Sequence, residues 1–139
     1  MSKLITLSEA ASIGIHSMVL IAQAPESINV IKIAEKTGSS KHHIAKILQR
    51  LVKDDFLNSI RGPYGGFSLK KDASKITLLN IYESIEGPIE LTHCPVDNQI
   101  CPFDKCLMGN VVSKMTAEFK EYLSKSTLDQ FISKKKKKK

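Results

Sequence analysis

All three cysteines of the chain, Cys94, Cys101 and Cys106, lie within thirteen consecutive residues. Proline directly follows the first two, and proline fixes the backbone and removes an amide donor, so the segment is predicted to be a loop that can turn several sulfurs toward one centre. Six residues separate the first pair and four separate the second. This spacing lacks the close cysteine pair typical of zinc knuckles and ribbons, and it favours an iron–sulfur cluster.

Three thiolates leave one ligand to come from elsewhere in the fold, and His16 on the first predicted helix is a candidate. The alternative is three unliganded thiols in a surface loop. His93 beside Cys94 could look like a base beside a nucleophile, but neighbouring side chains of an extended chain point to opposite sides. We therefore predict no catalytic site and do not expect an enzyme.

The stretch before the cysteines, residues 29–69, has the order of a winged helix-turn-helix. A short amphipathic helix is followed by a turn with an N-cap, a second helix and a glycine-rich hairpin. The predicted bounds are Val30–Lys36 for the first helix, Thr37–Ser40 for the turn, Lys41–Lys53 for the second helix, and Phe56–Ile60 and Phe67–Leu69 for the strands. Two amphipathic helices with a glycine turn also occur in domains that never touch DNA, but a hairpin placed directly after the second helix favours the DNA-binding interpretation.

In the second helix the apolar residues recur at helical spacing, which turns the polar side chains toward other faces, where they suit a DNA groove. Residues 32–75 hold ten Lys or Arg against four Asp or Glu, whereas residues 76–133 hold four against eight. The positive charge therefore lies where phosphate neutralisation needs it. The predicted DNA-binding residues are Ser40, Lys41, His42, His43, Lys46 and Arg50 around the helix, and Arg61 and Tyr64 in the hairpin turn.

The other predicted elements are helical. The first helix covers Leu7–Ala24 with Ser8 as its cap, and another covers Lys75–Glu86 with Thr77 as its cap. A long amphipathic helix, Met108–Lys125, is predicted to pair with its copy in a second subunit, because so small a domain has little core for it to cover. The predicted dimer contacts on its apolar stripe are Val111, Val112, Met115, Phe119 and Tyr122.

The composition excludes some classes of protein but does not itself indicate a function. The formal net charge of the 139 residues is +7, but the terminal run Lys134–Lys139 supplies six of these charges, so global basicity says little about nucleic acid. No Trp and 6% aromatic residues argue against a single-strand stacking platform. The start lacks the plan of a signal peptide and no apolar run is long enough to span a bilayer, so we expect a cytoplasmic protein without membrane contact.

Several motifs taken together resemble the Rrf-two-type family of bacterial winged-helix regulators, and the likeness extends to about Lys125. The matching stretches are Leu7-Ser8, Ile33-Ala34-Glu35-Lys36-Thr37-Gly38, Lys46-Ile47-Leu48-Gln49-Arg50-Leu51, Arg61-Gly62-Pro63-Tyr64-Gly65-Gly66-Phe67, Ile76-Thr77-Leu78 and Glu86-Gly87-Pro88, followed by the three cysteines and a long helix. Tyr64 stands where the family usually has glycine.

The resemblance implies a homodimeric regulator, a repressor or an activator, that binds a double-stranded operator and holds a [2Fe–2S] or [4Fe–4S] cluster on Cys94, Cys101 and Cys106 to sense redox, nitric oxide or iron–sulfur status. We take the repressor as the prediction. One subgroup places a ligating His where this chain has Gly109. Others use the first helix, where His16 matches, and Glu9 and His93 stay open as alternatives.

The predicted fold is mainly α with a small β-hairpin wing. Its parts are a winged helix-turn-helix domain at 1–90, a cysteine-rich cluster-binding loop at 91–107, a dimerisation helix at 108–133 and a disordered Lys tail at 134–139. The alternative function is a metal-stabilised (zinc or iron–sulfur) interaction or electron-transfer protein that uses the winged helix only as a scaffold.

Overall fold

The computed structural model describes residues 7–90, 107–108 and 110–132. Its helices and strands, in chain order, are α1 Glu9–Gln23, α2 Val30–Thr37, α3 Lys41–Lys53, β1 Leu57–Ile60, β2 Gly66–Leu69, α4 Leu78–Glu86 and α5 Val111–Lys125, with short 3-10 helices at Ala73–Lys75 and Leu128–Phe131. The predicted fold class, mainly helical with one hairpin, is confirmed. The predictions for His93, the three cysteines, Gly109 and the Lys tail fall outside the described residues.

Polar side chains fix where the helices begin. Ser8 accepts a hydrogen bond from the Ala11 amide at 3.0 Å, and Ser40 accepts one from the His43 amide at 3.2 Å. Thr77 and Asn80 form a reciprocal capping box, so α4 starts at Leu78 and not at the predicted residue 75. The predicted caps Ser8, Ser40 and Thr77 are thus confirmed, and α3 has the predicted bounds.

The core lies where α1, α3 and α4 pack together. Its largest fully buried apolar members come from α1 to α4, β1 and the segment after α5, and they are Met18, Ile33, Ile44, Leu48, Leu51, Leu57, Ile76, Ile81 and Leu128. As predicted from its composition, α1 is buried on several sides. Removing these side chains from water is the main force that holds the helices together.

The hairpin is tied to the rest of the domain by backbone pairing and by two buried side chains. β1 and β2 pair antiparallel, from Leu57 opposite Leu69 to Ile60 opposite Gly66. Ile28, just before α2, forms an isolated antiparallel bridge to Phe67 of β2. The two residues exchange backbone hydrogen bonds of 3.1 and 2.8 Å. The Leu57 and Phe67 side chains enter the core, which fixes the hairpin relative to α2 and α3.

The C-terminal segment differs from the predicted 108–133 helix. Asn110 adopts a left-handed conformation at φ 61°, which an α-helix cannot continue through, so α5 begins at Val111. After Lys125 the chain turns back: the Leu78 amide donates to the Ser126 carbonyl at 2.8 Å and the Leu128 amide donates to the Ile76 carbonyl at 2.9 Å. Residues 126–131 therefore do not extend the helix but pack against the main core, into which Leu128 is buried.

α5 itself packs on α4. Leu123 is buried there, and the Phe119 and Tyr82 rings meet edge to face with centroids 6.2 Å apart. Among residues 7–90 and 110–132, no helix has the length and apolar character that crossing a bilayer requires. The division of the chain into domains at residue 90 stays a prediction.

Candidate nucleic-acid interface

The second helix of the helix-turn-helix separates its residues cleanly by chemistry. Ile44, Ile47, Leu48 and Leu51 are buried, whereas the predicted DNA-binding residues of α3 are exposed or, for His43, partly buried. The exposed set is Lys41, His42, Lys46 and Arg50. The outer surface of α3 thus presents cations and ring nitrogens, which can donate to phosphates and to base acceptors.

Ser40 has a structural role besides its predicted part in DNA binding. Its Oγ accepts the His43 amide proton and so satisfies one of the unpaired donors at the start of α3. The hydroxyl proton is still available to donate to a phosphate, because a hydroxyl can accept and donate together. Ser40 therefore positions the first turn of α3, where Lys41 and His42 lie exposed.

The hairpin turn, Arg61–Gly65, needs glycine at two places. Gly62 has φ 108°, a conformation that side chains rarely adopt, and a Cβ at Gly65 would lie 2.0 Å from the Ile60 carbonyl oxygen. The Gly65 amide closes the turn with a 3.0 Å hydrogen bond to the Gly62 carbonyl. This turn holds Arg61 and Tyr64 out from the domain, and Tyr64 is 92% exposed.

A supporting contact at the end of α3 was not predicted. Asp54, which caps α3, accepts a hydrogen bond from the Ser84 hydroxyl of α4 and lies 3.7 Å from Arg50. It therefore links α3 to α4 and lies close enough to pair with the exposed Arg50 side chain. The sequence carries no signal for this link, because a serine thirty residues downstream becomes its partner only through tertiary packing.

The predicted dimer residues of α5 are only partly covered within the chain. Val111 and Tyr122 are exposed, the latter by 58%, while Val112, Met115 and Phe119 are partly buried. Met115, Phe119 and Tyr122 line an open depression together with Glu118, Glu121 and Lys125. Part of the predicted stripe is thus already used inside the chain, since Phe119 contacts Tyr82 of α4.

The two described candidates for the fourth cluster ligand lie on α1. His16 is exposed, and its Nδ1 lies 2.7 Å from the Ser12 carbonyl oxygen, which can only accept, so Nδ1 carries the proton. The lone pair is then on Nε2, the arrangement in which a histidine binds a metal. Glu9 is exposed in the first turn of the same helix. Among the described residues, no three His, Cys, Asp or Glu side chains gather as a metal site.

The donor chemistry fits an iron–sulfur cluster. Three thiols close together in the sequence supply the soft anionic ligands that such clusters take. An imidazole with its Nε2 lone pair free can complete the set, as histidine does on one iron of some two-iron clusters. His16 meets this requirement, since its Nδ1 already donates to Ser12 and its ring is accessible.

Comparison with known proteins adds the family. The family model for Rrf2, described as an iron-dependent transcriptional regulator, matches residues 7–134. The HTH-type transcriptional regulator IscR of Klebsiella pneumoniae is 25% identical over 128 residues, which cover 91% of this chain and 78% of that protein. IscR of Escherichia coli K12 shows the same identity over 128 residues, with 79% of it covered.

Solved structures agree on the fold. CymR, the global cysteine regulator of B. subtilis, superposes with a TM-score of 0.76 at 24% identity, covering 91% of this chain and 95% of that one. T. potens IscR gives a TM-score of 0.72 at 23% identity, covering 91% and 85%. With the family model matching nearly the whole chain, the resemblance and the absence of enzymatic activity predicted from the sequence are confirmed: the chain belongs to the Rrf2 family of DNA-binding transcriptional regulators.

Proposed function

We propose that this protein is a homodimeric repressor that reads a double-stranded operator through α3 and the hairpin wing, and that an iron–sulfur cluster held by its cysteines controls its affinity for that operator. One observation carries the proposal. The large apolar residues of α3 are buried except for Val52, which is partly buried, so its cations and histidines form a polar outer face beside a glycine-rich turn that carries Arg61.

That arrangement suits a duplex. A helix fits the major groove of B-DNA, and Lys46 and Arg50 on its outer face can reach phosphates or guanine acceptors. The wing extends from the end of α3 through β1, so Arg61 can enter the neighbouring minor groove, where narrow A·T-rich segments attract arginine. Two subunits would place two such heads on a palindromic site, and a dimer bound where the polymerase must bind would repress the promoter.

The dimer is proposed to form along the part of α5 that the chain leaves uncovered. Val111 and Tyr122 are exposed apolar side chains on the stripe, and Met115 and Phe119 are only partly buried. Leu107 and Met108, just before the helix, are exposed as well. A second α5 packed on this surface would bury these side chains and gain the free energy of removing them from water.

The cluster is proposed to sit on Cys94, Cys101 and Cys106, with His16 as the fourth ligand. When bound, it supplies a centre that reacts with oxidants and nitric oxide. The link to DNA rests on where the cysteine segment is attached. Just before it, the Ile89 amide donates to Glu83 of α4 at 3.0 Å, and the Ile89 carbonyl accepts from Lys120 of α5 at 3.1 Å.

This attachment couples the two functions. Ile89 is held between α4 and α5, and α4 contacts the end of α3 through Ser84 and Asp54. A ligand bound by the cysteines would therefore bias the orientation of the reading heads. By linkage the operator in turn favours one cluster state, with a coupling of typically about 1–3 kcal/mol.

The test uses the full chain purified without oxygen and a duplex selected by this protein from a random-sequence pool. Operator affinity is measured by fluorescence anisotropy for the cluster-loaded protein and for the same sample after cluster removal, and transcription from a promoter that contains the site is measured in vitro. We expect different affinities for the two states and less transcript with the tighter-binding one. Equal affinities would refute the control by the cluster, and more transcript would refute the repressor.

Three variants and one control separate the DNA contact, the cluster and its fourth ligand. Arg61→Ala should weaken operator binding by roughly 1–3 kcal/mol, whereas Lys114→Ala, an exposed cation on α5, should leave it unchanged. Cys101→Ala should abolish the visible absorption of the cluster and match the affinity of the cluster-free protein. His16→Ala should speed cluster loss and keep the dimer; an unchanged spectrum and decay rate would give the fourth position to Glu9, His93 or a small molecule.

A further inference from the structure

The tip of the wing carries an aromatic side chain with no partner in the described chain. Tyr64 is 92% exposed, more than any other large apolar side chain among the described residues. An aromatic ring gains much from leaving water, and an isolated one held far from the core gains nothing from folding. Its exposure therefore favours a contact made with another molecule.

The turn that carries Tyr64 is closed by a backbone hydrogen bond and extends from an anchored hairpin. Gly62 and Gly65 let the chain fold tightly enough for the Gly65 amide to reach the Gly62 carbonyl, and the hairpin below is fixed by Ile28 and by the buried Phe67. The ring is therefore presented at a defined distance from α3 before any contact is made. Such preorganisation lowers the entropy lost on binding.

The surroundings of the tip agree with a nucleic-acid partner and add apolar surface. Arg61 is the cation of the turn, and Pro63 lies next to Tyr64. Ile31 and Ile60 are also exposed, by 54% and 45%, and lie beside the depression between the start of α2 and the wing. The wing thus combines one phosphate-attracting charge with apolar side chains of the kind that unstack base steps in minor-groove proteins.

We propose that Tyr64, with Pro63 behind it, is a wedge that enters the minor groove and partly unstacks one base step, so that the wing bends the operator. This deepens the proposed function and rests on it, because it requires the chain to bind a duplex through α3 and the wing. A minor groove is about 6 Å wide, which admits an aromatic ring on edge. The wedge also predicts specificity without base hydrogen bonds, since pyrimidine–purine steps such as TA unstack most readily.

The competing contact is a hydrogen bond from the Tyr64 hydroxyl to a phosphate, and two substitutions distinguish it from the wedge. Tyr64→Phe keeps the ring and removes the hydroxyl, while Tyr64→Ser keeps a hydroxyl and removes the ring. Both are compared with wild-type protein on a duplex that wild-type protein has selected from a random-sequence pool. Affinity is measured by anisotropy, bending by energy transfer between dyes at the duplex ends, and unstacking by the fluorescence of 2-aminopurine at the step under the wing.

We expect Tyr64→Phe to keep affinity, bend and 2-aminopurine signal within about twofold. Tyr64→Ser should lose roughly tenfold in affinity, the scale of one aromatic–base stack, together with the bend and the 2-aminopurine signal. Replacing the TA or CA step under the wing by a stiffer step should weaken wild-type binding and leave Tyr64→Ser unaffected. Lys46→Ala should weaken binding to both duplexes alike.

Each other result overturns the proposal. If Tyr64→Phe loses as much as Tyr64→Ser, the hydroxyl makes the contact and there is no wedge. If Tyr64→Ser keeps the bend, the ring does not cause it. If wild-type protein and Lys46→Ala behave as expected of a duplex reader but no base step responds to Tyr64, the wedge fails while the proposed function stands. If wild-type protein selects no duplex, both fail.

Discussion

Two amphipathic helices of similar length, α3 and α5, bury very different shares of their apolar stripes. In α3 the stripe residues Ile44, Ile47, Leu48 and Leu51 are buried and Val52 is partly buried, so the fully exposed residues are polar. In α5 only Leu123 is buried, and Val111 and Tyr122 remain exposed. Folding of the chain thus covers most of the apolar side of α3, and its outer face is free for a polar ligand. The other helix, α5, still has apolar surface that folding has not covered.

The difference indicates what each helix is built to contact. The cationic outer face of α3 is complementary to a phosphate backbone, for which charge makes a large contribution to affinity. The uncovered apolar face of α5 is suited to a protein partner. A second copy of the chain would supply the same face, related by two-fold symmetry. Under the proposed function, the same kind of sequence pattern would serve two kinds of recognition, and the difference lies in how much of the stripe the chain itself covers.

The largest effect is expected from Tyr122→Asp. Tyr122 is exposed in the chain, so a charge there is harmless to the monomer but leaves an unpaired carboxylate in an apolar seam between two α5 helices. We expect a folded monomer by analytical ultracentrifugation and a loss of about 100-fold or more in operator affinity, because each head then binds without the other.

Lys114→Asp is the control, since Lys114 is an exposed polar position on the same helix. It should stay dimeric and keep its operator affinity. Phe119→Asp tests less, because Phe119 also packs on Tyr82 and its loss would destabilise the monomer. A dimeric Tyr122→Asp protein with normal affinity would move the dimer contact away from this face.

Leu128→Ala tests the claim that the return segment belongs to the core. Leu128 is fully buried, and its amide is bonded to Ile76. Truncating a buried leucine typically lowers the free energy of unfolding by about 2–5 kcal/mol, measured by urea titration. Phe131→Ala, at an exposed position of the same 3-10 helix, should cost clearly less. Equal, small losses for both would mean that residues 126–131 do not support the fold.

The sequence predicted the helices that carry their own signals and missed what depends on tertiary contact. The bounds of α3 follow from its periodic stripe and from Ser40, both local, and the prediction was right at both ends. The return of residues 126–131 was missed, because two apolar residues without periodicity give no pattern until Ile76 and Leu78 pair with them.

At the candidate site, too, the features with a local sequence signal could be predicted and those that depend on tertiary contact could not. The outer residues of α3 could be predicted, because a helical stripe assigns every polar neighbour to the opposite face. The Ser84–Asp54 link could not, since the two residues are distant in sequence and meet only where α4 packs on α3. For α5, the stripe was right as a set of apolar residues, but periodicity alone cannot divide one stripe between its own core and a partner.

A smaller effect is expected from Lys46→Ala, which sharpens the assignment of α3 to phosphates. Lys46 is exposed on the outer face of α3 and forms no ion pair with another described residue. Removing one phosphate contact should weaken binding to all duplexes alike and lower the slope of log affinity against log salt by about 1. Lys114→Ala on α5 is the matched control and should keep the wild-type slope. A changed preference among duplexes with the same slope would make Lys46 a reader of bases.

The smallest effect belongs to Glu121 and Lys125, an ion pair one helical turn apart on the exposed side of α5, with Nζ and Oε2 2.7 Å apart. The hydrogen bond and charge of Lys125 lower the pKa of Glu121, so folding favours its ionised form. The stabilisation is thus present above the carboxyl's ordinary pKa and is lost as the pH falls through the lowered value. Glu121→Gln should lower the melting temperature slightly at neutral pH, and the difference should vanish in acid.

Because both residues border the depression that the partner α5 is proposed to cover, the same substitution should change the melting temperature less in the Tyr122→Asp monomer, where water screens the pair fully. An equal shift in monomer and dimer would place this pair outside the subunit contact.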